Sequence, residues 1–244
     1  MRANYKMQRL YLDADIEADT SLDLDKAQTN YVANVMRMRS DDRLLVFNGR
    51  DGEWQAKVQL ETKRAVTLQI ESQVRPQPDA SDLIYCFAPL KVGRLDYMVQ
   101  KAVEMGAGTL QPVITQHTQN HRLKIDKLQA NAIEAAEQCG VLNIPACSEP
   151  RKLDDLLASW DTSRTLIFCD EDASTNNPIE KLSKLRGKPL AVLIGPEGGF
   201  SDAERAQLGA LEFVVSIPLG PRILRADTAA VAALAVVQAV AGDW

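Results

Sequence analysis

The sequence is poor in residues that could hold a metal ion or form a disulfide framework. Its 244 residues include four cysteines, none of them in a C-x-x-C pair, and two histidines, His117 and His121. Structural zinc is usually held by four Cys or His ligands at close spacing, whereas isolated cysteines are mostly buried thiols. We therefore expect no metal, and buried or incidental thiols in a reducing compartment.

Long apolar segments are missing too. The longest one, residues 229–241, contains Gln238 and is shorter than the roughly 20 apolar residues that cross a bilayer. Residues 1–11 mix basic and polar side chains and have no apolar core of a signal peptide. We expect a cytoplasmic protein with no membrane partner.

The fingerprints of several enzyme classes are also absent. The sequence has no G-x-x-x-x-G-K-[ST] segment, which excludes a P-loop, and no G-x-S-x-G segment of a serine hydrolase. Residues 106–108 contain two glycines, but they follow a predicted helix and lack the third glycine of a dinucleotide-binding turn. Kinase, NAD-dependent and serine hydrolase functions are not expected.

The net charge of −5 gives no general attraction for nucleic acid, because Lys and Arg neutralise phosphate. The charge is unevenly distributed, however. Residues 1–75 carry 12 Lys and Arg against 12 Asp and Glu, whereas residues 76–244 carry 16 against 21. Any RNA-binding surface must therefore be a local patch.

Residues 1–75 have the pattern of short β-strands, with alternating apolar and polar residues around a turn that begins at Asn48-Gly49. Alternation around an Asn-Gly turn is a strong hairpin signal. The predicted strands are 43–47, 53–60 and 65–70. We expect a small β-barrel domain, followed by a polar linker with two prolines at 72–81.

From residue 83 onward, predicted strands alternate with predicted helices. The strands are 83–88, 109–115, 164–169, 190–194 and 213–217. The helices contain 95–103, with Gly106 at the end, and 124–139, with further helices after Ser201 and from about Thr228. Strands separated by helices imply crossover connections and a mainly parallel sheet covered on both faces. We expect an α/β domain over residues 76–244.

A glycine-rich loop follows the buried strand 190–194. Gly195, Gly198 and Gly199 allow close approach of the backbone to a ligand, and Ser201 with Glu204 forms a capping-box pattern for the next helix. Ligands of open α/β sheets bind outside the carboxyl ends of the strands. The alternative is a connecting turn whose glycines only satisfy backbone geometry.

A second glycine-containing loop follows the strand 213–217. It places Arg222 and Arg225 beside apolar residues, as expected for a loop that packs inward and presents guanidinium groups to a ligand. Alternatively, Arg225 pairs with Asp227 or Glu197. Asp227 or Thr228 is expected to cap the final helix.

Together, residues 194–201 and 219–225 resemble the motif pair of the ribosomal small-subunit RNA uridine N3-methyltransferases, the RsmE type within the SPOUT superfamily. Other segments are also similar to this family, and the resemblance covers nearly the whole chain. These segments are 7–11, 35–39, 42–49, 91–106 and 135–140.

The resemblance implies a PUA-like RNA-binding β-barrel over residues 1–75 and a SPOUT methyltransferase domain over 76–244, whose C-terminal part forms a deep trefoil knot. Knots are rare exceptions to the usual connection rules, so no residue pattern would predict one. The resemblance also implies a homodimer with each methyl-donor pocket close to the subunit interface.

The activity implied is S-adenosylmethionine-dependent methylation of N3 of a specific uridine in 16S ribosomal RNA, with that RNA or the small ribosomal subunit as partner. The implied donor-binding residues are Leu193, Gly195, Glu197, Gly198, Gly199, Ile217, Leu219, Gly220, Ile223, Leu224 and Thr228. The candidate catalytic residues are Arg225, which would stabilise the uracil anion, and Glu197 and Asp227 as bases. The candidate RNA contacts are Arg9, Arg37, Arg39 and Arg222.

The chain departs from the family at three places. Val141 follows Gly140 where the family usually has an arginine nearby, which bears on one RNA contact. Residues 226–228, Ala-Asp-Thr, replace Thr-Glu-Thr and keep a carboxylate one methylene shorter. His117 and His121 lie where the family has basic and hydroxyl residues, and we interpret them as loop surface. Two other functions fit the same pattern: a catalytically silent RNA-binding assembly factor, and a SPOUT methyltransferase acting on tRNA.

Overall fold

The structure is a computed structural model that describes residues 6–62, 65–170 and 177–244. Part of the segment on which we predict the absence of a signal peptide, residues 1–5, lies outside the described residues.

Within the described residues the chain divides into two compact units. The first comprises Met1–Asp79 and Ala136–Ile144, and the second comprises Ala80–Ala135 and Pro145–Trp244. No pattern in the sequence indicated that residues 136–144 belong to the first unit. The predicted domains, 1–75 and 76–244, stay a prediction.

The first unit is built on a five-stranded sheet. Its strands are β1 (Arg9–Tyr11), β2 (Ser21–Asp23), β3 (Arg43–Phe47), β4 (Glu53–Thr62) and β5 (Ala65–Arg75). Their order is β1-β3-β4-β5-β2, with β1 and β3 parallel and the other neighbours antiparallel. Helix α1 (Lys26–Asn30) leads into a π-helical turn at Tyr31–Val35. The three strands predicted in this region are confirmed.

One face of this sheet forms the hydrophobic core of the first unit. Strand β4 contributes Ala56 and Val58, and β5 contributes Leu68 and Ile70, all fully buried. Residues two apart in a strand point to the same face, which is why the apolar alternation in the sequence identifies these strands.

The predicted linker at 72–81 is partly wrong, because β5 continues to Arg75. Strands β4 and β5 stay paired through irregularities in register as far as Glu53 and Arg75. Main-chain pairing therefore extends the strand beyond the point where its side chains cease to alternate between apolar and polar.

Arg9, which we predicted to contact RNA, is buried in the first unit. Its Nε donates to Glu53 Oε1 at 2.7 Å, and the two side chains are 2% and 1% exposed. Pairing of β1 with β3 places Arg9 opposite Leu45, inside the sheet. A guanidinium committed to a buried carboxylate cannot also neutralise a phosphate in solvent, so Arg9 is excluded from the RNA contacts.

We predict that Glu53→Ala destabilises the protein by roughly 3–5 kcal/mol, since it removes the carboxylate from a buried ion pair. Arg75 loses the same partner, because its Nε donates to Glu53 Oε2 at 2.7 Å. Urea denaturation measures the change. Glu61→Ala, at an exposed position of the same strand, is the control and should shift stability by less than about 0.5 kcal/mol. Equal unfolding midpoints for the two variants would contradict the prediction.

The described residues of the second unit form seven strands and six helices. The strands are β6 (Ile84–Phe87), β7 (Thr109–Ile114), β8 (Ala146–Cys147), β9 (Arg151–Lys152), β10 (Thr165–Cys169), β11 (Leu190–Ile194) and β12 (Val214–Ile217). The helices are α2 (Val92–Glu104), α3 (Ile125–Cys139), α4 (Leu153–Ala158), α5 (Pro178–Ser183), α6 (Asp202–Gly209) and α7 (Ala226–Ala241).

The strands of this unit form a parallel sheet in the order β12-β10-β11-β6-β7-β8, and β9 pairs with β7. This confirms the predicted α/β class and the five predicted strands, each to within one or two residues. The short elements β8, β9, α4 and α5 were missed, since segments of two to six residues are too short to show a period.

Parallel pairing determines where the loops emerge. Strands β7, β6, β11, β10 and β12 are neighbours in that order and run in one direction. Their carboxyl ends therefore lie along one edge of the sheet, where α/β domains bind their ligands. Both glycine-containing loops leave the sheet at this edge.

Candidate functional site

A cleft of about 780 Å³ opens at the carboxyl edge of the parallel sheet. Its walls include the loop after β11 (Gly195–Phe200), the loop after β12 (Leu219–Arg225), the first turn of α7 and the end of β10. Small-molecule sites typically enclose roughly 300–1,000 Å³. The two loops that the sequence singled out therefore line one cleft of suitable size.

The first loop, Gly195–Phe200, is shaped by its glycines. A Cβ at position 195 would lie 2.5 Å from Phe200 Cε2, and Gly199 has a φ of 67°, in the left-handed region. The Phe200 ring in turn packs edge-on against Phe168, with 5.0 Å between the ring centroids. The loop therefore folds back onto an aromatic ring that only a glycine at position 195 can accommodate.

A capping box ends this loop and begins α6, as predicted. Ser201 Oγ accepts from the Glu204 backbone N–H at 3.3 Å, and Glu204 Oε2 accepts from the Ser201 backbone N–H at 2.8 Å. The two reciprocal bonds hold the end of the glycine loop relative to the helix.

The second loop, Leu219–Arg225, leads directly into α7. Gly220 has a φ of 93°, and Ile223 is 87% exposed. The N-cap of α7 is Arg225, with no side-chain capping bond. The predicted cap, Asp227 or Thr228, is wrong, because both residues lie inside the first turn. Asp227 Oδ1 accepts instead from the adjacent Thr228 N–H at 3.0 Å.

Most residues predicted to bind the methyl donor lie on the cleft, and three do not. The ones on its walls are Gly195, Glu197, Gly198, Gly199, Leu219, Gly220, Ile223 and Leu224. Leu193 and Ile217 are fully buried in the strands that precede the loops. Thr228 is exposed on α7 and is not part of the cleft walls.

Four arginines line the cleft, and two of them are held in ion pairs. Arg94 Nη1 donates to Glu197 Oε1 at 2.6 Å, and Arg205 pairs with Asp170. Arg222 and Arg225 are exposed and have no ion-pair partner within the described residues. The alternative in which Arg225 pairs with Asp227 or Glu197 is therefore not observed. Two cationic groups remain available to an anionic ligand.

Sequence reasoning missed Arg94, Cys169, Asp170 and Arg205 as cleft residues. Arg94 lies in the segment 91–106, which resembles the family but carries no recognisable ligand motif. Cys169 ends a third strand, β10, and Asp170 follows it. Ligands of α/β sheets bind beyond the carboxyl ends of the strands, so the argument that singled out the two glycine loops also applied to these two residues.

The thiol of Cys169 is not a candidate nucleophile. Burial raises the pKa of Cys169 to about 12, and the thiolate is the reactive form of cysteine. The thiol therefore stays protonated near neutral pH. Covalent catalysis by this side chain is not expected.

The remaining predicted RNA contacts differ in location. Arg37 and Arg39 are exposed in the first unit, and Arg37 has a left-handed φ of 55°. Arg222 lies on the cleft of the second unit. Exposed guanidinium groups can bind phosphate, so the roles of these three residues stay predictions.

Neither a metal cluster nor a membrane-spanning helix is found in the parts of the chain that the structure describes. Across residues 6–62, 65–170 and 177–244, no group of three His, Cys, Asp or Glu side chains is placed to hold a metal ion. Over the same ranges, no helix is long and apolar enough to cross a membrane.

Comparison with known families defines the class of protein to which this fold and cleft belong. The family model described as RNA methyltransferase domain matches residues 77–238. The family model described as RNA methyltransferase PUA domain matches residues 24–71. The first match alone spans well over half of the chain. The chain therefore belongs to the RNA methyltransferase family, with an α/β methyltransferase domain and an N-terminal PUA domain.

Within that family, similar proteins include several named ribosomal RNA small subunit methyltransferase E. The one from Rickettsia conorii is 29% identical over 96% of this chain and 96% of its own length. The one from Bacillus subtilis is 25% identical over 95% of this chain and 96% of its own. The predicted resemblance to this type is confirmed.

Two solved structures are similar over nearly their whole length. A ribosomal RNA small subunit methyltransferase E from Neisseria gonorrhoeae, bound to S-adenosyl methionine, has a TM-score of 0.87 and 25% identity, covering 98% of this chain and 99% of that one. A methyltransferase from Legionella pneumophila in complex with the same cofactor has a TM-score of 0.84 and 28% identity, covering 96% and 97%.

We predict that Gly195→Ala destabilises the protein by about 1–3 kcal/mol, the usual cost of overpacking. The new methyl group would collide with the Phe200 ring, which Phe168 holds in place. Thermal unfolding measures the loss. Gly209→Ala is the matched control, because a Cβ at position 209 meets nothing within 4 Å. A Gly195→Ala protein as stable as the wild type would show that the loop is not held against this ring.

Proposed function

We propose that this protein transfers a methyl group from S-adenosylmethionine to N3 of a specific uridine in 16S ribosomal RNA. The observation that carries the proposal is the cleft itself. Two glycine-containing loops from strand ends of one sheet enclose a ligand-sized space beside Arg225, which has no ion-pair partner among the residues that the structure describes. The names and bound ligands of the relatives support it.

The residues of the cleft fit S-adenosylmethionine. Its walls contain apolar side chains, which suit a purine ring, and backbone exposed at the glycines. They also contain charged groups of both signs, which suit a zwitterionic amino acid. The apolar residues are Phe200, Leu219, Ile223 and Leu224, and the acidic ones are Asp170 and Glu197. When bound, this cofactor supplies an electrophilic methyl group.

Arg225 has the charge and position needed to stabilise the uracil anion. N3 of uridine is a weakly acidic imide, and removal of its proton places negative charge on the adjacent oxygens. An unpaired guanidinium in the cleft can face that charge, a form of electrostatic stabilisation worth several kcal/mol in comparable sites. Arg225 is the N-cap of α7, so its backbone is fixed by the helix that follows.

Of the two carboxylates considered as the base, we favour Asp227. Glu197 is committed to Arg94 by an ion pair of 2.6 Å, and this pair ties the glycine loop to α2. Asp227 has no ion-pair partner within the described residues. It is not itself part of the cleft walls, but it directly follows Ala226, which lines the cleft. A general base must be free to accept the proton, and a carboxylate already held by an arginine is not.

The remaining parts of the proposal concern RNA binding and assembly. Arg37, Arg39 and Arg222 contact phosphates, and the target base leaves its stack to enter the cleft. The protein acts in the cytoplasm as a homodimer, with the 87% exposed Ile223 covered by a second subunit. The C-terminal part of residues 76–244 forms a trefoil knot, and residues 1–75 form the RNA-binding domain.

Binding of the cofactor is the first test. Isothermal titration with S-adenosylmethionine should give one site per chain, and S-adenosylhomocysteine should compete for it. ATP is the control ligand, because it shares the adenosine group but lacks the amino acid; it should bind far more weakly. Absence of any binding of S-adenosylmethionine would overturn the methyltransferase proposal in favour of a catalytically silent RNA-binding protein.

We predict that Arg225→Ala lowers kcat for methylation by about 100- to 1,000-fold, the loss seen when a donor to a developing anion is removed. Arg225→Lys, which keeps the charge, should retain more activity than the alanine variant. Arg222→Ala, in the same loop, is the comparison variant. It should raise KM for RNA and leave kcat largely unchanged. An Arg225→Ala enzyme with wild-type kcat would remove Arg225 from the catalytic residues.

A further inference from the structure

His117 contacts the glycine loop after β11, whereas its position in the sequence led us to interpret it as loop surface. Its Nδ1 lies 3.0 Å from the carbonyl oxygen of Gly198 and 3.2 Å from that of Gly199. A Cβ on Gly198 would be 3.3 Å from the Cβ of His117. The histidine therefore packs against the two glycines from outside the cleft that they line.

The chemistry of this contact determines which nitrogen carries the proton. A carbonyl oxygen can only accept a hydrogen bond, so Nδ1 must donate to both glycine carbonyls. The neutral ring is therefore the Nδ1–H tautomer, which a carbonyl partner at that nitrogen selects. The imidazolium form keeps the same donor, and the bond does not depend on the charge of the ring.

The turn that carries His117 is itself held in place. In the turn Thr115–Thr118 after β7, the Thr115 backbone N–H donates to Thr118 Oγ1 at 2.9 Å, and both threonines are buried. The Gln116 backbone N–H donates to Glu204 Oε1 at 2.8 Å, and Glu204 also forms the capping box of α6. His117 thus extends from a rigid turn that is attached to the same helix as the glycine loop.

Holding the two carbonyls fixes the orientation of their peptide groups. The carbonyl and the N–H of a trans peptide point in opposite directions. With the Gly198 and Gly199 carbonyls facing His117, the N–H groups of Gly199 and Phe200 face the other way. The Gly199 N–H accordingly donates to Pro196 O at 3.0 Å, which closes the loop into a turn. Glycines have little conformational preference of their own, so this external bond selects one loop shape.

We propose that His117 is a positioning residue for methyl-donor binding: its Nδ1–H holds the Gly198 and Gly199 carbonyls and thereby keeps the cleft wall in its binding shape. This inference rests on the proposed function, because it assumes that the cleft binds S-adenosylmethionine. The role is indirect, since His117 is not itself part of the cleft walls.

The test compares four proteins by isothermal titration with S-adenosylmethionine. His117→Ala should raise Kd by about 3- to 10-fold, as expected for loss of a hydrogen bond that preorganises a site. His117→Asn should restore most of the affinity, because its side-chain amide can donate from a position close to that of Nδ1. His121→Ala is the matched control: His121 is exposed, makes no hydrogen bond or ion pair with the described residues, and should bind as the wild type does.

Two results would overturn the role of His117. One is a His117→Ala protein with wild-type Kd, and the other is an asparagine variant that binds no better than the alanine variant. A wild-type protein that binds no S-adenosylmethionine would instead overturn the proposed function.

A spectroscopic measurement tests the hydrogen bond independently of ligand binding. Nitrogen-15 NMR of the free wild-type protein should show the proton of the neutral His117 ring on Nδ1, with His117→Ala used to assign the signal. A proton on Nε2 in the neutral ring would contradict the contact with the glycine carbonyls, whatever the ligand titrations show.

Discussion

The site depends on one constraint, the parallel pairing of β11 with β10 on one side and β6 on the other. The register places Leu193 of β11 opposite Phe168 of β10 and Cys86 of β6. Because β12 pairs with β10 and β7 pairs with β6 in the same direction, the loops after all five strands emerge at one edge. The cleft walls and the turn that carries His117 all come from this edge.

The apolar strands of this sheet stabilise the fold, and the residues that follow them form the cleft walls. Strand β11 is buried along its whole length, as expected for a strand covered on both faces. Immediately beyond it, the chain changes to glycine and charged residues. Three contacts hold this glycine-rich segment: Phe200 packs on Phe168, Glu197 pairs with Arg94, and the two glycine carbonyls accept from His117. The glycines allow the shape of this cleft wall, and contacts with residues outside the loop hold it.

The fold and part of the site could be predicted from the sequence because both leave local patterns. Alternation and buried apolar runs located the long strands, and the position of Gly195 after a buried strand identified a ligand loop. The exclusion of Arg9 could not be predicted, since its partner Glu53 is distant in the sequence and meets it only through pairing of separate strands. The same holds for Arg94 and His117, whose partners lie about 80 to 100 residues further along the chain. The knot and the dimer stay predictions, which rest on the family resemblance alone.

Mass spectrometry of small-subunit ribosomal RNA tests whether this protein methylates N3 of a uridine, the activity that we propose for it. The RNA would be taken from a strain that lacks the gene, before and after incubation with the purified protein and S-adenosylmethionine. We expect 3-methyluridine to be missing from the mutant RNA at one position and to return on incubation. Unchanged 3-methyluridine in the mutant, or methylation that appears only on transfer RNA, would contradict it.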